Sequence, residues 1–231
     1  MILENNICIN ESDYIIRRML STDWFEITKH RYTNIIFENV NFENHDELTL
    51  LDIGSHLGLW TIRIAERCKL LDLKFKGHLY EPSSKNIQCL KKNINTFLDD
   101  SDIEIYNNIV SDHNSYMEPA ERFNEGSFDT FYCGEFILSK IPDHDLKGIK
   151  VIILPCMSTD FDILKLLDKT YLQEDVLIVA QLIEKNLAKN NHTRQDVINF
   201  LKKRNFKVKR YDFDYSHLDP HLEHTYFIFT K

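Results

Sequence analysis

Short apolar runs, each followed by a stretch of helical spacing, mark out most of this chain. Leu48–Ile53 (LTLLDI) is nearly continuous in apolar residues, as a strand buried on both faces requires. Leu57–Leu71 then repeats at helical period. Lys74–Glu81 (KFKGHLYE) predicts a second strand, and Pro82 or Ser83 opens a helix running to about Leu98. Further strands are predicted at Ile103–Val110, Lys150–Leu154 and Val176–Leu182, with helices at Asp160–Asp168 and Thr193–Arg204. Phe206–Phe213 and Thr225–Thr230 are two last strands, close enough in sequence to pair as an antiparallel ribbon. Upstream, Tyr14, Ile15, Met19, Ile27, Tyr32, Ile35 and Ile36 fall at helical spacing, which reads as two helices joined around Thr22–Glu26. Residues 111–147 follow no period, apart from β-like pieces at Phe128–Cys133 and Phe136–Leu138.

Strands alternating with helices indicate an α/β fold. The architecture expected is Rossmann-like: a doubly wound, mainly parallel seven-stranded sheet with an antiparallel last strand, plus N-terminal helices. The 231 residues suit a single domain, divided into an N-terminal helical extension (1–46) and the Rossmann-like core (47–231).

Composition narrows the partners. A net charge of −8 opposes a duplex-binding surface, because affinity for nucleic acid comes largely from neutralising phosphates. The basic stretch KKRNFKVKR (202–210) reads as a helix end and the following strand with solvated lysines. No apolar run approaches the ~20 residues of a membrane span, and the N-terminus lacks a basic flank and long apolar stretch, so a cytoplasmic protein is expected. The five cysteines, Cys8, Cys68, Cys89, Cys133 and Cys156, never form a CxxC pair and suit reduced thiols. His217, His221 and His224 in SHLDPHLEH are a solvated loop before the last strand in one reading and a metal site in another.

Candidate chemistry gathers at the first strand–helix junction. Asp52 ends the strand, and Gly54 and Gly58 bracket the turn. A turn of this kind aims backbone N–H groups and a positive helix end at a ligand. The spacing is DxGxxxG rather than GxGxxG, with His56 where a dinucleotide turn has glycine. A single carboxylate suits it better than a pyrophosphate. Glu81, 23 residues beyond Gly58, is placed to accept both hydroxyls of a ribose. Ser111 and Asp112, near the third strand's end, are placed to meet an adenine amino group. An adenosine with an amino-acid tail satisfies all three contacts, and that ligand is S-adenosylmethionine (SAM).

LDIGSHLGLWTI, YEPSSKNIQCLKKNI and NNIVSD, in that order, resemble the first three motifs of class I SAM-dependent methyltransferases. They are most similar to the FkbM-like branch, whose motifs read roughly DxGxxxGxxT, FEPxPxNxxxLxxNL and NxALSD. Trp24–Glu26 resembles a short upstream W/Y-E element of that branch. The resemblance implies a cofactor site of Glu26, Asp52, Gly54, Ser55, His56, Gly58, Glu81, Pro82, Ser111 and Asp112, with S-adenosylhomocysteine as product. It also implies O-methylation of a sugar, glycan precursor or small metabolite; from the scattered cysteines and the histidine loop, no metal is expected. Downstream the likeness fades. Where the branch reads KIDVEG, this chain has Pro155, Met157 and Ser158; where its fifth strand ends in Glu, this chain has Gln181. Asp160 matches the next acidic position, and Asp160 or His56 is the candidate base; Asp162 and His113 are others, and Asp160 is equally a helix cap.

The substitutions at the acceptor end support a second reading, a SAM-binding partner or scaffold that has lost catalysis. RNA methylation is a third, favoured only by the lysines of 202–210. In either enzyme reading the long 111–147 connection suits a lid or substrate loop, with Phe131, Tyr132 and Phe136 bordering the acceptor or buried in the core. Whether copies associate as a homo-oligomer stays open.

Overall fold

The computed structural model describes residues 7–9, 33–98, 102–107, 110, 148–154, 160–167, 171–172, 175–212 and 225–231. Seven strands form one sheet: β1 (Glu47–Ile53), β2 (Lys74–Tyr80), β3 (Asp102–Tyr106), β4 (Ile149–Leu154), β5 (Val176–Ala180), β6 (Lys207–Asp212) and β7 (Thr225–Thr230). Their order across the sheet is β3-β2-β1-β4-β5-β7-β6. The first five are parallel, with β1 between β2 and β4. β7 runs antiparallel to both β5 and β6.

The order follows from burial. Leu48 through Ile53 are all buried, so β1 is covered on both faces and belongs at the centre. The last ribbon is inserted with β7 inward, because TYFIFT is apolar on both faces whereas KVKRYD is mostly solvated. An edge strand carrying Lys207, Lys209 and Arg210 presents charge along its free side, which discourages pairing with another chain. The lysines of 202–210 thus lie on a helix end, a turn and this edge strand.

The described helices are α1 (Leu59–Leu70), α2 (Ser84–Phe97), α3 (Asp160–Leu167), the short α4 (Glu184–Leu187) with a 3₁₀ turn at Ala188–Asn190, and α5 (Arg194–Lys202). Residues 33–38 are also helical. Two layers cover the sheet. On one face Ile64 and Cys68 of α1, with Ile35 and Ile36, pack on Leu48, Leu50, Val151, Leu177 and Ile228; beside them Leu90 and Ile94 of α2 meet Leu79. On the other, Phe161, Leu164 and Leu167 of α3 and Val197 and Leu201 of α5 pack on Leu51, Ile152, Ile178 and Phe229. Each fully buried Leu, Ile or Phe contributes roughly 1.5–3 kcal/mol.

The expected doubly wound sheet is therefore present, with boundaries shifted. β3 stops at Tyr106 and β5 at Ala180, earlier than the apolar pattern predicts. The short α4 and its 3₁₀ turn were not foreseen: four residues are too few to show a period. The joint proposed at Thr22–Glu26, the 111–147 stretch and SHLDPHLEH lie outside the described residues.

Candidate functional site

The site grows from the turn that joins β1 to α1. Three of its five residues have positive φ: Gly54 (77°), His56 (54°) and Gly58 (77°). Gly58 also lies against α2, since a Cβ there would lie 2.5 Å from Leu90 Cδ1. The left-handed φ favours glycine at 58, and a Cβ there would also force the Leu90 side chain to shift. Gly58 is the N-cap of α1, and no side chain caps the helix; its first turn holds no acidic residue. The positive dipole end of a twelve-residue helix thus lies beside the turn.

The turn is pinned to the end of β2. The Gly54 and Ser55 N–H groups donate to the Tyr80 carbonyl at 2.8 and 3.0 Å. Ser55 is 6% exposed, and its hydroxyl faces the carbonyls of Asp52 (2.8 Å) and Tyr80 (3.2 Å). Ser55 therefore shapes the turn through its hydroxyl hydrogen. The next residue after β2 is Glu81, and its carboxylate closes the arrangement. Oε2 accepts the His56 N–H at 2.8 Å; Oε1 accepts the Ser83 N–H at 2.9 Å and the Asn86 amide at 3.3 Å. Glu81 is thus bonded to the glycine turn on one side and to the start of α2 on the other. Pro82 and Ser83 follow, with Ser83 capping α2 through the Asn86 N–H.

Two buried carboxyls face this junction. Asp52 is 2% exposed, and its Oδ2 accepts the Thr61 hydroxyl at 2.7 Å. Burial pushes its pKa up to about 6, against a lowering by the Thr61 bond; the nearby Glu81 charge raises it further and the His56 charge lowers it. Burial likewise raises the Glu81 carboxyl, opposed by the Ser83 N–H, the His56 charge and N–H, and the Asn86 amide. Both carboxyls resist ionisation in the protein alone, and a cation or a pair of hydroxyl donors beside them favours their charged forms.

A third layer supports Glu81 from the residue that follows β3. The Asn107 amide donates to the Glu81 and Pro82 carbonyls, both at 3.0 Å, and the Ser84 hydroxyl donates to Asn107 Oδ1 at 3.2 Å. Thr61, Asn86 and Asn107 were not singled out by sequence reasoning as site residues. A signal existed for all three, since each occupies a polar position inside the quoted motifs.

Among the other expected residues, Asp160 is 1% exposed and begins α3, where with Asp162 it stands at the positive helix end. Asp162 Oδ1 pairs with Lys165 Nζ at 2.8 Å and lies 3.3 Å from His192 Nε2. Gln181 follows the end of β5. Glu26, Ser111, Asp112, His113, Phe131, Tyr132, Phe136, Pro155, Met157 and Ser158 lie outside the described residues. The structure therefore brings together Asp52, Gly54, Ser55, His56, Gly58, Glu81 and Pro82. Among the described residues, no cluster of His, Cys, Asp and Glu is built to hold a metal ion, and no helix is long and apolar enough to cross a membrane.

No protein-family model matches the sequence, and no curated protein does. Solved structures do match in fold. One is described as a class I S-adenosylmethionine-dependent methyltransferase of Listeria monocytogenes; it is 9% identical with a TM-score of 0.54, over 89% of this chain and 59% of that one. Another is described as an O-methyltransferase of Klebsiella pneumoniae (10% identical, TM-score 0.52, 87% of this chain and 80% of that one). A third is the precorrin-6y C5,15-methyltransferase of Geobacter metallireducens (12% identical, TM-score 0.50, 89% of each chain). The fold is the one these methyltransferases share. At such identities the likeness is one of architecture, and the function is argued from the site.

Proposed function

We propose that this chain binds SAM at the β1–α1 turn and transfers its methyl group to a hydroxyl of a sugar, glycan precursor or other small metabolite. The observation that carries this reading is the bridge from Glu81 to the turn and to α2. The bridge keeps a carboxylate beside a helix N-terminus that no side chain caps, and both follow parallel strands at their carboxyl ends, where open α/β sheets hold ligands. The residues fit the group. The positive N-terminal end of α1, which no side chain caps, suits the carboxylate of an amino-acid tail, the Glu81 carboxylate suits vicinal ribose hydroxyls, and the two buried acids favour a nearby positive charge. Bound there, SAM supplies an already activated methyl on a cationic sulfur.

The chain's own part is then binding, orientation and proton removal. Orientation alone contributes several kcal/mol in reactions of this kind. A base taking the hydroxyl proton adds about 10²–10⁴-fold in rate. Asp160 or His56 is proposed for that role. The FkbM-like assignment, Glu26, Ser111 and Asp112 as further cofactor contacts, and a cytoplasmic location belong to the same proposal.

A second reading, a SAM-binding partner protein without turnover, is favoured by Gln181 standing where the resembled branch has an acid. The fold neighbours include a C-methylating enzyme by name as well as one described as an O-methyltransferase, so architecture does not choose the acceptor. The test is SAM consumption against a panel of hydroxylated sugars and small metabolites, with Asp160→Asn alongside. Turnover with some acceptor, slowed about 10²-fold or more by Asp160→Asn, supports the enzyme reading with Asp160 as base. Tight SAM binding with no turnover across the panel supports the partner reading.

A further inference from the structure

Three residues near the N-terminus lie against the back of the glycine turn. The Cys8 N–H donates to Asn93 Oδ1 at 2.7 Å, and Asn93 Nδ2 donates back to the Cys8 carbonyl at 3.1 Å. The same Nδ2 donates to the Leu57 carbonyl at 3.0 Å, inside the turn that carries Gly58. Asn93 is fully buried, so its amide acts as one more peptide unit holding the N-terminal segment and the turn together. Apolar contacts follow the same path: Cys8 and Ile9 pack with Leu57, Leu59 and Cys89, and Ile7 packs on the α2 cluster.

At this contact the sulfur of Cys8 stands 2.8 Å from that of Cys89, 81 residues away in sequence. A sulfur–sulfur bond is about 2.0 Å long. Both are free thiols, Cys89 buried and Cys8 half-buried. We propose that Cys8 and Cys89 form a reversible dithiol–disulfide pair, whose oxidation fastens residues 7–9 to α2 and stiffens the glycine turn through Asn93.

The oxidant required is a low-molecular-weight disulfide. The half-buried Cys8, as thiolate, attacks one sulfur of that disulfide, forming a mixed disulfide and releasing one small thiol. Cys89 then loses its proton and displaces the second small thiol. The protein gives up two protons and two electrons, and the small disulfide is reduced to two thiols. Burial and the Cys8 contact push the Cys89 thiol up to about 12, while the Lys92 charge lowers it. Cys8 is therefore the residue that starts the exchange and Cys89 the one that resolves it.

The effect on the turn rests on the cofactor reading above; the disulfide itself does not. In the test, the intact protein is incubated with glutathione disulfide, alkylated and digested without reductant. A peptide joining Cys8 to Cys89 is expected, reversed by dithiothreitol and abolished by Cys8→Ser. Both cysteines recovered singly alkylated, or linked elsewhere, would overturn the pair. SAM titration of the oxidised and reduced protein should show about threefold or more tighter binding when oxidised, because a preorganised turn loses less freedom on binding. That response should be absent in Cys8→Ser. Equal affinity in both forms would overturn the coupling. A linked peptide with no SAM binding in either form would remove the cofactor reading and leave the redox pair supported.

Discussion

Glu81 Oε2 accepts the backbone N–H of His56 at 2.8 Å, across 25 positions of sequence. One carboxylate thereby fixes the distance between the glycine turn and the end of β2, and its other oxygen fixes the start of α2. Three donors share its two oxygens. Glu81→Gln keeps one acceptor oxygen and sets an amide N–H against one of those donors. A buried donor left unsatisfied costs about 1–3 kcal/mol, which offsets the relief of a buried charge, so Glu81→Gln should stabilise the protein at neutral pH less than Asp52→Asn does. Urea unfolding of both variants checks this, and an equal or larger gain for Glu81→Gln would contradict the bridging role.

Asp52 gives a dependence on pH. Its pKa is near 6 in the fold and 3.8 as an unperturbed group. Below pH 3.8 the acid is neutral whether folded or not, so burial costs nothing extra. As pH rises through the window, the unfolded chain releases its proton before the folded one does, and stability falls until the folded pKa is passed. The full difference is roughly 3 kcal/mol on the scale of 1.36 kcal/mol per unit. Asp52→Asn should therefore be more stable than the parent at pH 7.5, by about 1–3 kcal/mol, and nearly equal to it at pH 4. Paired denaturation curves at the two pH values read the difference; a constant gap would refute the buried-acid account.

The same residue should make cofactor affinity pH-dependent in the opposite sense. In the proposed site, bound SAM would favour the charged carboxylates, so its affinity should fall as pH drops from 7.5 through 6. A flat affinity profile over that range would separate Asp52 from the ligand.

Gly58→Ala places a methyl 2.5 Å from Leu90 Cδ1 at a residue with φ of 77°. The left-handed backbone alone costs about 1–2 kcal/mol for a residue with a Cβ. Displacing a buried leucine adds to it. Thermal unfolding should show the loss, and SAM affinity should fall with it because the turn moves. A control comes from Thr193, which caps α5 in a reciprocal capping box with Asp196, remote in sequence from the turn. Thr193→Ala should cost about 1 kcal/mol and leave SAM affinity unchanged. A parallel loss of affinity there would show that destabilisation alone explains the effect of Gly58→Ala.

Much of this was legible in the chain. LTLLDI announced a strand covered on both faces, and the turn and Glu81 stood at readable spacings. What escaped depends on partners far away in sequence. Asn107 and Asn93 bond carbonyls of Pro82 and Leu57, and no local pattern reveals which carbonyl an asparagine will find. The inward position of β7 follows from the match between its two apolar faces and those of β5, a contest settled only when the sheet assembles. The Cys8–Cys89 contact joins residues from separate segments, which spacing in a linear chain does not expose.

Calorimetric titration of the intact protein with SAM at pH 7.5 decides whether the turn, Asp52 and Glu81 hold SAM as proposed. One site is expected, weakened about tenfold or more by Glu81→Ala and by Asp52→Ala, since a charge-assisted hydrogen bond is worth about 1.5–3 kcal/mol. Binding that is absent in the parent, or equally tight in both variants, would contradict it.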